Sequence, residues 1–490
     1  MGYTFMIKEF IKKADLCLPE LYETKKIISG QDRVLNQGES CTYDFGNHYT
    51  GKLEIKVSSK GSHQDAPVFV KFKFCEVQSE IDEDVKDYHG WISSSWIQEE
   101  YLHIDELPAE IELPRRYAFR YVKIQVLGMS SKHSLVINEL CVKATSSANL
   151  NAPSAKAINQ IDKVALRTLS ECMQKEFEDG PKRDRRLWIG DLRLQALTNY
   201  ETYKNYDLVK RCLYLFAGTS NKEGRVSACV FTSPKVEADD TYMFDYSLFF
   251  PCILLDYYNA TRDTDTLSEL YPTALRQIEL CGELNYFDNN SVIRDRDELG
   301  WCFLDWNLAL NKQAGAQAIY IYAVKKCLKI AEILKIDTNF LKNEAENKTQ
   351  AAISAFFDEK KGLFVSGKNR QISYAVNVWF CLAQVFDKEK NQQILQKLTE
   401  SEEALKPVTP YMYHHYIQAL IDAEEKDKAF QLMNSYWGGM VNSGADTFYE
   451  LYNPENPEES PYGAAAVNSY CHAWSCTPAY FLRKYFYDYK

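Results

Sequence analysis

Between about residues 40 and 145 the chain alternates apolar and polar side chains with a period of two. Leu53, Ile55 and Val57 interleave with Lys52, Glu54 and Lys56, and Val70, Phe72 and Phe74 with Lys71 and Lys73. Val122, Ile124 and Val126 do the same with Lys123 and Gln125, and residues 135–142 make one more such run. Half-buried strands alternate in this way, and short runs separated by Gly, Ser, Asn and Pro predict an antiparallel β-sandwich. A helix-like segment over residues 5–14 precedes it, and the small, polar stretch Ala144–Pro153 reads as a linker. Beyond the linker the period becomes helical almost to the end. Helices are predicted over 155–177, 191–203, 206–217, 243–259, 265–285, 311–335, 339–357, 373–386, 389–400, 409–423, 426–437 and 465–484. One of them carries the stripe Ala316, Tyr320, Ala323, Cys327, Ile330 and Leu334 at spacings of four and three. About a dozen helices in consecutive hairpins predict an (α/α)6 barrel, a six-hairpin toroid. A solenoid of helix pairs is the competing arrangement, but the sequence has no fixed-period repeat to support it. The division is then 1–148 for the β-sandwich with its leading helical segment and 149–490 for the barrel.

A chain of 490 residues is too long for one ordinary core, which agrees with two domains. The net charge of −11 disfavours nucleic acid and anionic membrane as partners. No apolar run approaches the roughly 20 residues that a membrane span needs. The opening residues lack the apolar core and cleavage site of a signal peptide, so the expected location is cytoplasmic. Fourteen cysteines lie mostly inside apolar runs such as Phe380-Cys381-Leu382, as reduced core thiols do. None is paired at the CxxC spacing of a zinc site, and Cys471-His472 lacks a partner cluster.

The chemistry concentrates in Asp179–Asp191. This stretch holds the carboxylates Asp179, Asp184 and Asp191, the guanidinium groups of Arg183, Arg185 and Arg186, and the Trp188 indole. Buried charge is costly unless paired and hydrogen-bonded, so folding rarely gains from such a cluster. A pocket that binds a polyhydroxylated substrate and moves protons does need one. A solvated, salt-bridged loop is the plainer reading, but Leu187, Trp188 and Ile189 favour a partly buried turn. Further on, Glu450 stands among aromatics in Thr447-Phe-Tyr-Glu450, a low-charge setting that tends to raise a carboxyl pKa and suits a general base. A Glu that caps or pairs at a loop is the equal alternative. Asp239, Asp240 and Tyr242, then Asp305 and Trp306, then His472 and Trp474 add carboxylates, rings and an imidazole near predicted helix ends. Carboxylates accept hydrogen bonds from sugar hydroxyls, and aromatic faces cover the C–H patches of the ring.

These segments resemble glycoside hydrolase family 78, the α-L-rhamnosidases. The Asp179–Asp191 turn is similar to that family's Asp-Cys-Pro-x-Arg-(Asp/Glu)-Glu-Arg-x-Gly-Trp-x-Gly-Asp signature. Asp305-Trp306 resembles its Gly-Asp-Trp position with Leu304 in place of the glycine. Thr447–Glu450 resembles its Thr-x-Trp-Glu motif, and Ser469–Trp474 its later Ser-x-x-His segment. Tyr43–Gly46 and Pro114–Val122 resemble the β-sandwich that precedes the family's barrel. The resemblance covers the chain from about residue 40 and implies a six-hairpin barrel behind a β-sandwich, without the family's usual C-terminal β-domain.

The resemblance further implies inverting hydrolysis of a terminal deoxy sugar, with α-L-rhamnose foremost. The turn is one residue shorter than the signature, so counting from Pro181 puts Arg185 in the acid's place, whereas counting back from Asp191 gives Asp184. An Arg cannot donate a proton near neutral pH, which favours Asp184 as the general acid, kept protonated by its surroundings, with Glu450 as the base. Asp179, Arg183 and Asp191 would hold sugar hydroxyls, with Arg186, Asp240 and Asp305 as further candidates, and Trp188, Trp306 and His472 would line the pocket. Neither a metal nor an organic cofactor is required. Two other readings stay open. One is a same-scaffold enzyme for another sugar or a uronic acid, hydrolase or lyase, suggested by Lys182, Arg183, Arg185 and Arg186. The other is a non-catalytic carbohydrate-binding relative. The β-sandwich reads as a buttress, since no exposed aromatic platform stands out in it. The sequence leaves the oligomeric state open.

Overall fold

The computed structural model describes residues 2–61, 67–83, 85–86, 88–295, 302–456 and 459–489. Gly300 and Trp301, the start of the Asp305 motif, lie outside the described residues. A helix α1 (Gly2–Leu16) opens the chain. Seven strands follow: β1 (Tyr22–Leu35), β2 (Ser40–Gly61), β3 (Val68–Cys75), β4 (Glu99–Ile104), β5 (Ala109–Glu112), β6 (Tyr117–Gly128) and β7 (His133–Ser146). They form one antiparallel sheet in the order β1-β7-β2-β6-β3-β4, with β5 beside β2. The long strand β2 serves both halves of it. Its residues 40–51 pair with β6, 51–61 with β7, and 54–57 also with β5. Leu53, Ile55 and Val57 from one half and Val70, Phe72, Val122 and Ile124 from the other bury into a single core. These are the residues whose alternation marks the strands in the sequence. Strand β1 escapes that pattern because it is an edge strand paired to β7 and exposed along nearly its whole length.

The helical domain comprises α2 (Gln160–Cys172), α3 (Ile189–Glu201), α4 (Tyr206–Gly218), α5 (Phe244–Thr261), α6 (Thr264–Glu283), α7 (Gln313–Leu334), α8 (Asn339–Phe356), α9 (Tyr374–Leu382), α10 (Lys388–Glu400), α11 (Pro410–Asp422), α12 (Lys426–Asn442) and α13 (Pro478–Lys484). Helix α3 packs on α5, α5 on α7, α7 on α9, α9 on α11, and α13 returns to α3. These helices bury most of their residues. Residues 314–324 of α7 are buried on every side, whereas α10 is polar and buries only one stripe, including Ile394, Leu395 and Leu398. The helix α1 docks on α4.

Helix α12 runs five residues past its expected end and α9 stops four short, and two helices depart further from expectation. The first starts at Gln160, not 155, because Asn159 caps it, its side chain accepting from the Asp162 N–H at 2.9 Å. The expected helix 465–484 shrinks to α13, preceded by two 3₁₀ turns at Ala465–Val467 and Ala473–Ser475. Tertiary hydrogen bonds displace the helical ones there. The His472 N–H donates to the Phe448 carbonyl at 2.8 Å, and the Ala473 N–H to the Asp179 carbonyl at 2.7 Å. The Tyr470 N–H donates to the Glu76 carboxylate at 2.8 Å. Thr477, preceding Pro478, sits at a position where a continuing helix is disfavoured.

Candidate active site

The Asp179–Asp191 segment folds as a closed turn leading into α3. The Asp179 N–H donates to the Arg186 carbonyl at 3.0 Å. Its carboxylate accepts the backbone N–H groups of Asp184 at 2.9 Å and Arg186 at 3.1 Å. Gly180 is needed for close approach: a Cβ there would lie 2.5 Å from both the Arg183 carbonyl and Ser469 Oγ. The N-terminal domain anchors the turn from below. Buried Lys182 reaches Glu80 at 2.5 Å and Glu76 at 3.5 Å, and Arg116 grips Glu178 with two bonds of 2.9 and 2.8 Å. Glu76 also accepts from His48 Nε2 at 3.1 Å, so the same network ties down the Tyr470 backbone.

Above the turn opens a cavity of about 720 Å³. Asp179, Arg183, Asp184, Arg186, Trp188 and Asp191 line it, with Asp240 and Trp306 from two other segments and Glu450 and His472 from the C-terminal region. The two carboxylates singled out as acid and base thus share one cavity. Arg185 is absent from its lining. At φ 61° it turns away, and its Nε donates to the Lys182 carbonyl at 3.2 Å. Lys182 is likewise spent in its ion pairs. Asp305 departs from expectation, because it lies outside the lining. Its carboxylate accepts from the N–H groups of Val408 at 2.8 Å and Thr409 at 3.1 Å and from Thr409 Oγ1 at 2.7 Å. Thr409 is the N-cap of α11, so Asp305 fixes a helix start.

Glu450 is buried and held on both oxygens, one by the Arg183 guanidinium and the other by the Tyr462 hydroxyl. Burial alone would raise its pKa. The charges of Arg183 and His472 and the Tyr462 hydrogen bond outweigh that, so its carboxyl lies below the usual range. The aromatic, low-charge sequence context pointed the other way, because the cations arrive from distant segments. Arg183 also lies over the Tyr462 ring, 4.0 Å from its centroid, and so serves Glu450 more than any hydroxyl. Asp179 shows the opposite balance. Burial, then the neighbouring charge of Asp184, push it up to about 8.

His472 Nε2 lies 3.2 Å from Asp191 Oδ1. Burial would lower its pKa, but Asp191 and Glu450 raise it above the ordinary value. Its Nδ1 and the Trp306 Nε1 are buried without a hydrogen-bond partner. The adjoining wall is apolar, with Phe303 stacked on Trp474 at 5.5 Å and Trp188 edge-on to Tyr246 at 6.4 Å. Among the described residues no group of three or more His, Cys, Asp or Glu could hold a metal ion.

Several lining residues were not foreseen. Tyr462 sits in a loop whose sequence carries no signal beyond Pro461 and Gly463. Trp91, Ile92, Ser93 and Trp96 come from the N-terminal domain, which therefore does more than buttress. Two indoles flanking a run of serines were the available clue.

A helical domain whose cavity joins paired carboxylates, unsatisfied polar groups and aromatic walls defines a glycosidase. Residues 13–144 match the profile of the glycosyl hydrolase family 78 alpha-rhamnosidase N-terminal domain, and residues 149–486 that of the bacterial alpha-L-rhamnosidase 6 hairpin glycosidase domain. The chain belongs to glycosyl hydrolase family 78. It is similar to a rhamnosidase from Klebsiella oxytoca solved with rhamnose bound, at 42% identity and a TM-score of 0.91 over 98% of this chain and 99% of that one. The fold is shared with the family 78 rhamnosidase of Bacillus sp. GL1, at 18% identity and a TM-score of 0.76 over 93% of this chain and 47% of that one. It is shared also with the Streptomyces avermitilis alpha-L-rhamnosidase complexed with L-rhamnose, at 15% identity and a TM-score of 0.66 over 93% and 43%. No curated protein sequence matches the chain.

Proposed function

We propose that the protein removes terminal α-L-rhamnosyl groups from glycosides by inverting hydrolysis, with Asp184 as proton donor and Glu450 as base. The observation that carries this is that both carboxylates, distant in sequence, line one sugar-sized cavity. Glu450, held ionised by Arg183 and Tyr462, takes a proton from a water molecule. That water's oxygen bonds to the anomeric carbon as the glycosidic bond breaks, and Asp184 gives its proton to the departing oxygen. Such a reaction needs a carboxyl separation of roughly 6.5–9.5 Å to admit the water. Asp191, His472 and Trp306 Nε1 would receive the sugar hydroxyls, and the Phe303, Trp474 and Tyr246 wall suits the methyl group of a 6-deoxy sugar. The similarity to the Klebsiella oxytoca enzyme with rhamnose bound supports this choice of sugar.

A uronic acid or a lyase reaction fits less well. Of the turn's four basic side chains only Arg183 and Arg186 line the cavity, against the six carboxylates Asp179, Asp184, Asp191, Asp239, Asp240 and Glu450. A substrate carboxylate would meet net negative charge. Asp184 in the lining likewise counts against a non-catalytic sugar binder. The ring of packed helices α3, α5, α7, α9, α11 and α13 supports closure as an (α/α)6 barrel, and the single core under both halves of the sheet supports a β-sandwich. Fourteen unpaired cysteines, twelve of them buried, favour the reducing cytoplasm. Screening nitrophenyl glycosides tests the function. Release from the α-L-rhamnoside above all others is expected, and release from another glycoside with none from the rhamnoside would overturn the proposal.

A further inference from the structure

We infer that the N-terminal domain builds part of the mouth of this site, through which the leaving group of a terminal sugar must project, and that Trp91 with Trp306 and Tyr462 forms an apolar face there selecting glycosides with a flat, apolar leaving group. The inference rests on the rhamnoside reading above and adds the chemistry of what is cleaved off. Trp91 lines the cavity yet is 62% exposed, which places it at the rim. A single exposed ring is ordinary, but this one joins Tyr462 and Trp306 in a contiguous aromatic patch at a cavity mouth, where a ligand can cover it. It is not a trailing side chain. Its Nε1 donates to the Pro461 carbonyl at 2.8 Å, and Tyr88 Oη donates to the Tyr462 carbonyl at 2.9 Å. Between these two anchors Gly90 packs so tightly that a Cβ would lie 2.0 Å from the Tyr462 carbonyl oxygen. The loop is therefore built onto the segment that carries Tyr462, and the indole is held in position.

The neighbours decide what would cover it. The Trp91 ring lies 5.3 Å from Tyr462 and 6.5 Å from Trp306, centroid to centroid. The other residues this loop gives the cavity are Ile92, Ser93 and Trp96, with no charge among them. The carboxylates that could accept hydroxyl hydrogen bonds all come from other segments: the 179–191 turn, Asp239, Asp240 and Glu450. A second sugar at the rim would find few acceptors on this face, whereas a flat apolar group would gain ring contact on the indole.

The test compares kcat/KM for 2-naphthyl and methyl α-L-rhamnoside in the full-length enzyme and in Trp91→Ala and Trp91→Phe. The loss in Trp91→Ala is expected to be larger for the naphthyl substrate than for the methyl one by roughly tenfold. Trp91→Phe, which keeps a ring but not the bond to Pro461, recovers most of the difference. Rhamnose inhibition serves as the control for the sugar pocket and stays the same in both variants. Equal losses for the two substrates, or Trp91→Phe behaving as Trp91→Ala, would overturn the inference while leaving the rhamnosidase reading intact. Wild-type enzyme that cleaves neither substrate would overturn both.

Discussion

Arg183 and Glu450, 267 residues apart in the chain, are joined by a buried ion pair at the cavity wall. The pair ties the turn that carries Asp184, the proposed acid, to the segment that carries Glu450, the proposed base. Removing one partner of a buried pair leaves an uncompensated charge, at a cost of about 3–5 kcal/mol. Asp184→Asn and Glu450→Gln should each lower kcat by about 10²–10⁴-fold. Only Glu450→Gln should also lower the thermal midpoint. Kinetics and thermal melts of the two variants side by side check both halves of the statement.

The pH dependence follows from Glu450 and Asp179. Glu450 titrates below the usual range, so its contribution to stability is present above its unfolded value of 4.5 and fades as pH falls. Asp179 is raised from 3.8 to about 8, so its contribution is complete below 3.8 and is lost as pH rises through about 8. The rate profile should be bell-shaped with its alkaline limb near pH 8, where Asp179 ionises and puts its negative charge beside Asp184. Asp179→Asn cannot ionise and should remove the limb near pH 8. A profile of kcat/KM against pH for both forms measures it.

Tyr462 acts through Glu450. Its hydroxyl bonds to the carboxylate and helps hold it ionised. Tyr462→Phe should therefore move the acid limb of the same profile to higher pH, with a smaller loss of kcat than in Glu450→Gln. An unshifted limb would make Tyr462 a wall residue only.

Lys182 supports the turn from the N-terminal domain. Replacing it with Met leaves Glu80 buried without its counter-charge, while Glu76 keeps His48, and should cost about 3–5 kcal/mol. The double variant Lys182→Met with Glu80→Gln should recover part of that. Chemical denaturation of the single and double variants reads out the difference.

The sequence made the helices legible because each buries a stripe or a whole surface at helical spacing, and α3 to α12 lie within a few residues of their expected bounds. It made most of the cavity legible because Asp179, Asp184, Asp191, Glu450 and His472 are too polar to be core by default, yet all five line it. What it hid was tertiary. β1 is exposed and has no alternation to read. The 465–484 segment has helical composition, but its backbone N–H groups are taken by Glu76, Phe448 and Asp179. Asp305 looked like a sugar ligand because nothing local says that its oxygens are spent on Val408 and Thr409. The low pKa of Glu450 comes from residues that no window around it contains.

The most direct test of the whole account is the anomeric form of the first sugar released, followed by proton NMR before mutarotation. An α-L-rhamnoside should yield β-L-rhamnose first, because Glu450 delivers water to the face opposite the departing group. First appearance of the α anomer would mean a covalent intermediate and contradict the roles given to Asp184 and Glu450.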